Sequence, residues 1–344
     1  MRFYIGTDTR TSSEGLYLGS LEITTGKIVL VGNIASLNHP SFVSIHPSGN
    51  YLYAISENDN LVYSYMITPT SDGLVLLDKK PTKGSLPCYI STTANGQLLF
   101  IANYMGGNCI TFQLKKGGLM EFSDEIVHEG SGKDPDRQEA SHPHSIVPDP
   151  LSKFVYVADL GIDKIMIYEI NYKEGKLNPA KIPYQKVRSG SGPRHFTFYN
   201  NSSYAYVVNE LNSTITAFVV DHELGRLAEI QTISTIPNNF SGINWAADIH
   251  IRGDFLYTSN RGHNSIAIFK INQRTGKLQP VKCEGVQGET PRNFTIDPTG
   301  KFVLVANEDT NNITCFKINN TTGELEYTGF QLEVPVPQCI KFIT

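Results

Sequence analysis

The residues best equipped for chemistry in this chain are His144, Arg194 and Glu210. A histidine changes charge near neutrality, a guanidinium stays cationic, and a carboxylate can steady either. The three are spread over 67 residues, so only a fold that brings the chain back repeatedly to one place can unite them. His142, Trp245, Arg261, His263, Arg292 and Glu308 are candidates for the same place. Charged side chains gathered together need either partners or a ligand. The competing explanation is an ion-pair network with a purely structural role.

A short repeat supplies the positioning elements. An aromatic or apolar residue, two small or β-branched residues, and then Asn, Asp, Ser or Thr recur at Tyr4–Thr7, Tyr53–Ser56, Phe100–Asn103, Tyr156–Asp159, Tyr206–Asn209, Tyr257–Asn260 and Leu304–Asn307. Successive ends lie 49, 47, 56, 50, 51 and 47 residues apart. Seven units of this period match the blades of a propeller. Each unit holds four strand-like runs. In the last complete one, Arg292–Ile296, Lys301–Asn307 and Ile313–Ile318 alternate, Leu325–Tyr327 begins a fourth strand, and Asp297-Pro298-Thr299-Gly300 turns the chain between the first two. Pro presets φ and Gly permits the reversal. A second turn recurs as Thr25-Gly26-Lys27, Glu174-Gly175-Lys176, Leu224-Gly225-Arg226, Thr275-Gly276-Lys277 and Thr322-Gly323-Glu324.

The first unit lacks a first strand, and Pro335–Phe342 resembles one that stops early. Joining the two termini in one blade removes the open sheet edges. The expectation is therefore an all-β chain, 1–344, folded as a single seven-bladed β-propeller with four antiparallel strands per blade. N- and C-terminal strands close the last blade.

Within a blade the strands run up and down, so the start of the first strand and the end of the second share one mouth of the channel. Pro40, Pro87, Pro143, Pro193 and Pro291 each lie 16 residues before a pattern end. The same offset assigns Asn244 in the remaining blade. The next residues should ring the mouth: Ser41, Cys88, His144, Arg194, Trp245 and Arg292, with Gln338 from the closing strand. A second ring follows the pattern ends: Glu57, Tyr104, Leu160, Glu210, Arg261 and Glu308. The longest interval carries its extra length in the polar segment 127–141, and a second polar approach, 233–244, precedes Trp245. Both enter at this mouth, and long loops on one face carry function. His195 should point into its blade as a satisfied core histidine. Cys88 sits on the ring with no base placed for it by spacing.

Composition narrows the class. Net charge is −4 without a long basic run, which disfavours nucleic acid as a partner. No apolar run approaches membrane-spanning length, and the start reads as a strand rather than a signal peptide. Five cysteines without a C-x-x-C pair suit a reduced, cytoplasmic setting and no metal site.

Four segments carry a family resemblance: Arg137–Ser145, Gly190–His195, Val208–Leu211 and Ser259–Ser265. With their order and spacing over essentially the whole chain, they resemble the propeller-type 6-phosphogluconolactonases, whose superfamily includes carboxymuconate lactonising enzymes. The resemblance implies hydrolysis of 6-phosphogluconolactone to 6-phosphogluconate in the pentose phosphate pathway, with no cofactor. It places the His, Arg and Glu implicated in the lactonising enzymes on His144, Arg194 and Glu210. The usual Pro-His-x-His-Ser stands here as Ser141-His142-Pro143-His144-Ser145, so both histidines remain candidates for the base.

Lactone hydrolysis needs an activated water, an oxyanion holder and a proton for the leaving alkoxide. On that chemistry His144 is the expected general base, Arg194 the electrostatic stabiliser and Glu210 the orienter of the His or holder of the Arg. Arg261, His263 and Arg292 could take a substrate phosphate, or the arginines could pair with Glu210 and Glu308. Trp245 could stack on a sugar or cap the channel. The expected partner is a phosphorylated sugar lactone, bound by a monomer or weak homo-oligomer without membrane. A muconate-type cycloisomerase and a non-enzymatic binding propeller are the alternatives.

Overall fold

Alternating apolar runs bounded by Gly and Pro turns produce 28 strands in seven antiparallel sheets of four, in a computed structural model describing residues 1–199 and 203–343. Blades 1 to 6 have inner strands Val43–Ile45, Pro87–Thr92, Pro143–Pro148, Pro193–Phe198, Trp245–Arg252 and Pro291–Ile296. Blade 7 is built from both ends of the chain: Pro337–Phe342 pairs with Arg2–Thr7, followed by Gly15–Leu21 and Ile28–Ser36. The inner strand of blade 7 packs against that of blade 1, closing the ring. No helix among the described residues is long and apolar enough to cross a membrane.

The core lies between blades. Second strands such as Leu98–Asn103, Phe154–Asp159 and Phe302–Asn307 are buried along their whole length. Their alternate side chains face opposite neighbours. One cluster joins Phe3, Ile5 and Ile340 of blade 7 to Phe302, Leu304 and Ile313 of blade 6. Outer strands such as Met120–Val127 expose much of their length.

The two recurring sequence features prove to be one contact. Tyr156 Oη donates to the Gly225 carbonyl at 2.8 Å, Tyr206 to Gly276 at 2.8 Å, and Tyr257 to Gly323 at 2.9 Å. These three second-strand tyrosines thus tie their blades to the outer turn of the next. The turn needs its glycine twice over. Gly225 has φ +66°, and a Cβ there would press on Phe154 at 2.7 Å.

At the start of six of the seven inner strands two residues oppose one. The register slips between Pro87 and Tyr89, Pro143 and Ser145, Pro193 and His195, Pro291 and Asn293, and opposite Gly6/Thr7. Cys88, His144, Arg194, Arg292 and Gln338 are the bulged residues, and a bulge re-aims a side chain. Blade 5 departs from the expected offset. Ala246, not Asn244, pairs with Asn260, and the slip follows it. Ile251 and Leu256 pair across residues 252–255, whereas Pro148 and Val155 pair across the longer 149–154. Counting back 16 therefore overshoots by two. Ala247 takes the inner-ring place, and Trp245 moves out to the rim, 44% exposed.

Candidate active site

The bulges bring Cys88, His144, Arg194, Arg292 and Gln338 to one small cavity of about 10 Å³ in the channel, which Ser41 of blade 1 also lines. Ahead of the inner-strand prolines, His39, Leu86, Gly192, Thr290 and Val336 have φ between 40° and 63°. Left-handed backbone at bulky or β-branched residues is strained, and such strain gathers at functional sites. It aims the carbonyls of His39, Leu86, Gly192 and Thr290 at the N–H groups of Glu57, Tyr104, Glu210 and Glu308.

His144 is 6% exposed. Its Nδ1 lies 3.8 Å from Cys88 Sγ, and Nε2 makes no hydrogen bond among the described residues. The ring meets Tyr104 and His195 edge-on, each with centroids 5.4 Å apart. Burial first, and then the charge of Arg194, push His144 well below the usual histidine range. It is a neutral base at pH 7. Spacing did not reveal this neighbour for Cys88, yet burial pushes the thiol up, and it remains S–H rather than a nucleophilic thiolate.

His142 stands differently. Nδ1 meets the Tyr104 carbonyl at 2.9 Å and Nε2 meets Glu139 Oε1 at 3.0 Å. Its ring stacks on Tyr104 at 4.5 Å. Both nitrogens are engaged with protein atoms.

Arg194 is 2% exposed. Its Nη1 donates to the Ala247 carbonyl at 2.7 Å and to His195 Nε2 at 3.2 Å. Its Nε lies 2.9 Å from Glu210 Oε2 without the alignment of a hydrogen bond. Nη2 makes no hydrogen bond among the described residues. Burial and the nearby Arg261 push the guanidinium down to about 9, which leaves it cationic at neutral pH.

Glu210 does not orient His144 by contact. Its oxygens meet Arg137 at 2.5 Å, Arg194 at 2.9 Å and Arg261 at 2.9 Å. Burial works against its charge, but the arginines hold the carboxyl well below its usual range. Of the two roles open to it, the geometry fits the holder of arginines. Arg137 was missed as a site residue. It stands in the long polar segment expected at this mouth, donates also toward Tyr104 Oη at 3.4 Å, and lies 5.9 Å from the Trp245 ring. Asp8 was missed too, although it follows the first pattern end as Glu57 and Glu210 follow theirs. It pairs with Arg10 and lies 3.5 Å from His39.

The remaining candidates divide. Arg292 faces the cavity and approaches Glu308 at 3.8 Å. His263 does not join the ring: Nδ1 bonds Ser265 at 2.7 Å and its ring meets Phe240 at 4.9 Å. His195 points across the channel rather than into its blade, touching Phe42, Tyr89 and His144. The bulge at Arg194 sends both residues toward the axis. His195 Nδ1 donates to Asp248 at 2.7 Å, which leaves Nε2 to accept from Arg194. Asp248, also missed, accepts from His250 Nε2 at 3.0 Å and Asn293 Nδ2 at 2.6 Å. No sequence motif marks it.

Known proteins share this arrangement of blades. The family model for the seven-bladed β-propeller lactonases matches residues 2–342. A 6-phosphogluconolactonase of Bacillus subtilis is 35% identical, over 99% of this chain and 97% of its own. One from Formosa agariphila is 31% identical, over 87% of each. Among solved structures, the periplasmic gluconolactonase of Pseudomonas aeruginosa superposes with TM-score 0.94 at 29% identity, covering 100% of this chain and 99% of that one. This fold and these relatives lead to one conclusion: the chain belongs to the lactonase family of seven-bladed β-propellers and is a lactone hydrolase.

Proposed function

We propose that the chain hydrolyses 6-phospho-D-glucono-1,5-lactone to 6-phosphogluconate, as the names of the Bacillus and Formosa relatives suggest. The observation that carries the reaction is one cavity lined by both His144 and Arg194, residues 6% and 2% exposed, with His144 Nε2 and Arg194 Nη2 making no hydrogen bond among the described residues. His144 takes a proton from water as the oxygen attacks the lactone carbonyl. Arg194 Nη2 holds the oxyanion. Glu210 and His195 keep Arg194 in place. When the ring C–O bond breaks, the alkoxide recovers the proton from His144. The enzyme would act in the cytoplasm, as a monomer or weak homo-oligomer.

Arg137 and Arg292 support a phosphate subsite. Their side chains are 34% and 25% exposed, and among the described residues Arg292 has only a 3.8 Å ion pair. Arg137 and Arg261 both pair with Glu210, at 2.5 and 2.9 Å, but the Arg261 side chain is only 10% exposed. Trp245, beside Arg137 at the rim, offers a face for the sugar ring. An unphosphorylated substrate is the second reading, favoured by the name of the Pseudomonas neighbour. Initial rates on glucono-1,5-lactone and its 6-phosphate, corrected for spontaneous opening, decide between them. The phosphate ester should be preferred at least about tenfold in kcat/KM, the value of roughly one well-placed charge contact. Equal rates would remove the phosphate from the assignment.

A further inference from the structure

Ser41 Oγ and Gln338 Oε1 are two buried polar atoms of the channel that the arrangement above leaves unexplained. Their residues are 5% and 3% exposed, and neither atom has a hydrogen-bond partner among the described residues. Buried polar groups are rarely left so, and each calls for an explanation. Both residues line the cavity shared with His144 and Arg194. They stand on blades 1 and 7, across the axis from blades 3 and 4.

The cavity measures about 10 Å³, which is on the order of the space that one water occupies. A sugar ring cannot enter it. The ring must lie above, at the mouth, with its carbonyl toward the channel. A single water in the cavity would meet two to four polar partners, the number that a buried water requires.

We infer that this cavity seats the attacking water, held by Ser41 and Gln338 opposite His144. The inference rests on the lactone-hydrolase mechanism proposed above. One water proton passes to His144 Nε2. The other is held by Gln338 Oε1, while the Ser41 hydroxyl fixes the oxygen. The water oxygen forms the new bond to the lactone carbon from the channel side, and the carbonyl electron pair moves onto the oxygen facing Arg194. Collapse of the intermediate breaks the ring C–O bond, and His144 returns its proton to the alkoxide. Oxygen and hydrogen balance with one water consumed.

The test is the steady-state kinetics of S41A and Q338L on the lactone that wild type opens fastest, with thermal unfolding followed in parallel. Each variant should lose about 10–100-fold in kcat, the scale of a misplaced reactant, with KM within about twofold and unfolding unchanged. A raised KM at unchanged kcat would show that the two groups bind a substrate hydroxyl instead, and would overturn the inference. So would wild-type kinetics in both variants. S41A removes one atom and serves as the reading if Q338L does not fold. A wild type without lactonase activity would sink the function and the inference together. An active wild type, an inactive H144A and unaffected S41A and Q338L would sink the inference alone.

Discussion

His144 and His195 lie ring to ring in the channel, 5.4 Å apart and on adjacent blades, yet they belong to different kinds of structure. Toward the opposite end from the mouth, His195 has both nitrogens bonded and Asp248 gathers donors from His195, His250 and Asn293. Toward the mouth, His144 Nδ1 meets one thiol, and Arg194 Nε, Ser41 Oγ and Gln338 Oε1 have no hydrogen-bond partner among the described residues. Burial depresses both histidines, but His195 has its hydrogen-bonding capacity met and His144 does not. A satisfied buried group contributes order, whereas an unsatisfied one is paid for elsewhere and stays available to a substrate.

Exchanging single residues should separate the two halves. The largest effect is expected for H144A: a loss of roughly 10²–10⁴ in kcat with little change in unfolding temperature, because no strong hydrogen bond is lost. A large drop in stability would place His144 with the structural half. H195A should reverse the balance. It leaves Asp248 without one donor at a cost of about 1–3 kcal/mol, read as a lower unfolding temperature. Its kcat should fall by only about tenfold, through a less fixed Arg194. A loss equal to that of H144A would make His195 part of the chemistry.

Smaller effects concern pH. The acid limb of kcat/KM should lie well below 6.5, since His144 must be neutral to accept a proton and is depressed by burial and Arg194. R194Q removes that positive charge, so the limb of its residual activity should move to higher pH. A limb that stays in place would uncouple the two residues. Smallest is the stability slope. His195 is held at about 4 in the folded chain against about 6.5 when unfolded. Between those values the unfolded chain binds a proton that the folded chain refuses. Stability present above 6.5 is therefore lost as pH falls toward 4, by at most about 3 kcal/mol from this group. The slope should flatten in H195A, as thermal unfolding from pH 7 to 4.5 would show.

Sequence reading reached the ring of bulged residues because each hairpin from inner to second strand has the same length in five blades. It failed at Trp245 because the turn in blade 5 is two residues shorter, and Gly253-Asp254 carries no Pro to announce a different count. Glu210 was placed on the second ring correctly. Its three arginines come from residues 137, 194 and 261, and only packing decides which of several cations a carboxylate meets.

What the sequence determined by itself was local and periodic: the repeat of about 50 residues, the turn glycines, and the split blade that joins Pro337–Phe342 to Arg2–Thr7. These follow from φ/ψ preference and alternation, which act over a few residues and recur seven times. Tertiary structure alone decided that Tyr156, Tyr206 and Tyr257 reach the turns of the next blade. It also decided that Arg137 closes on Glu210, and that His142 is spent on Tyr104 and Glu139 while His144 remains open to the channel. Those outcomes depend on distances between side chains far apart in sequence, as when the arginines outweigh burial at Glu210.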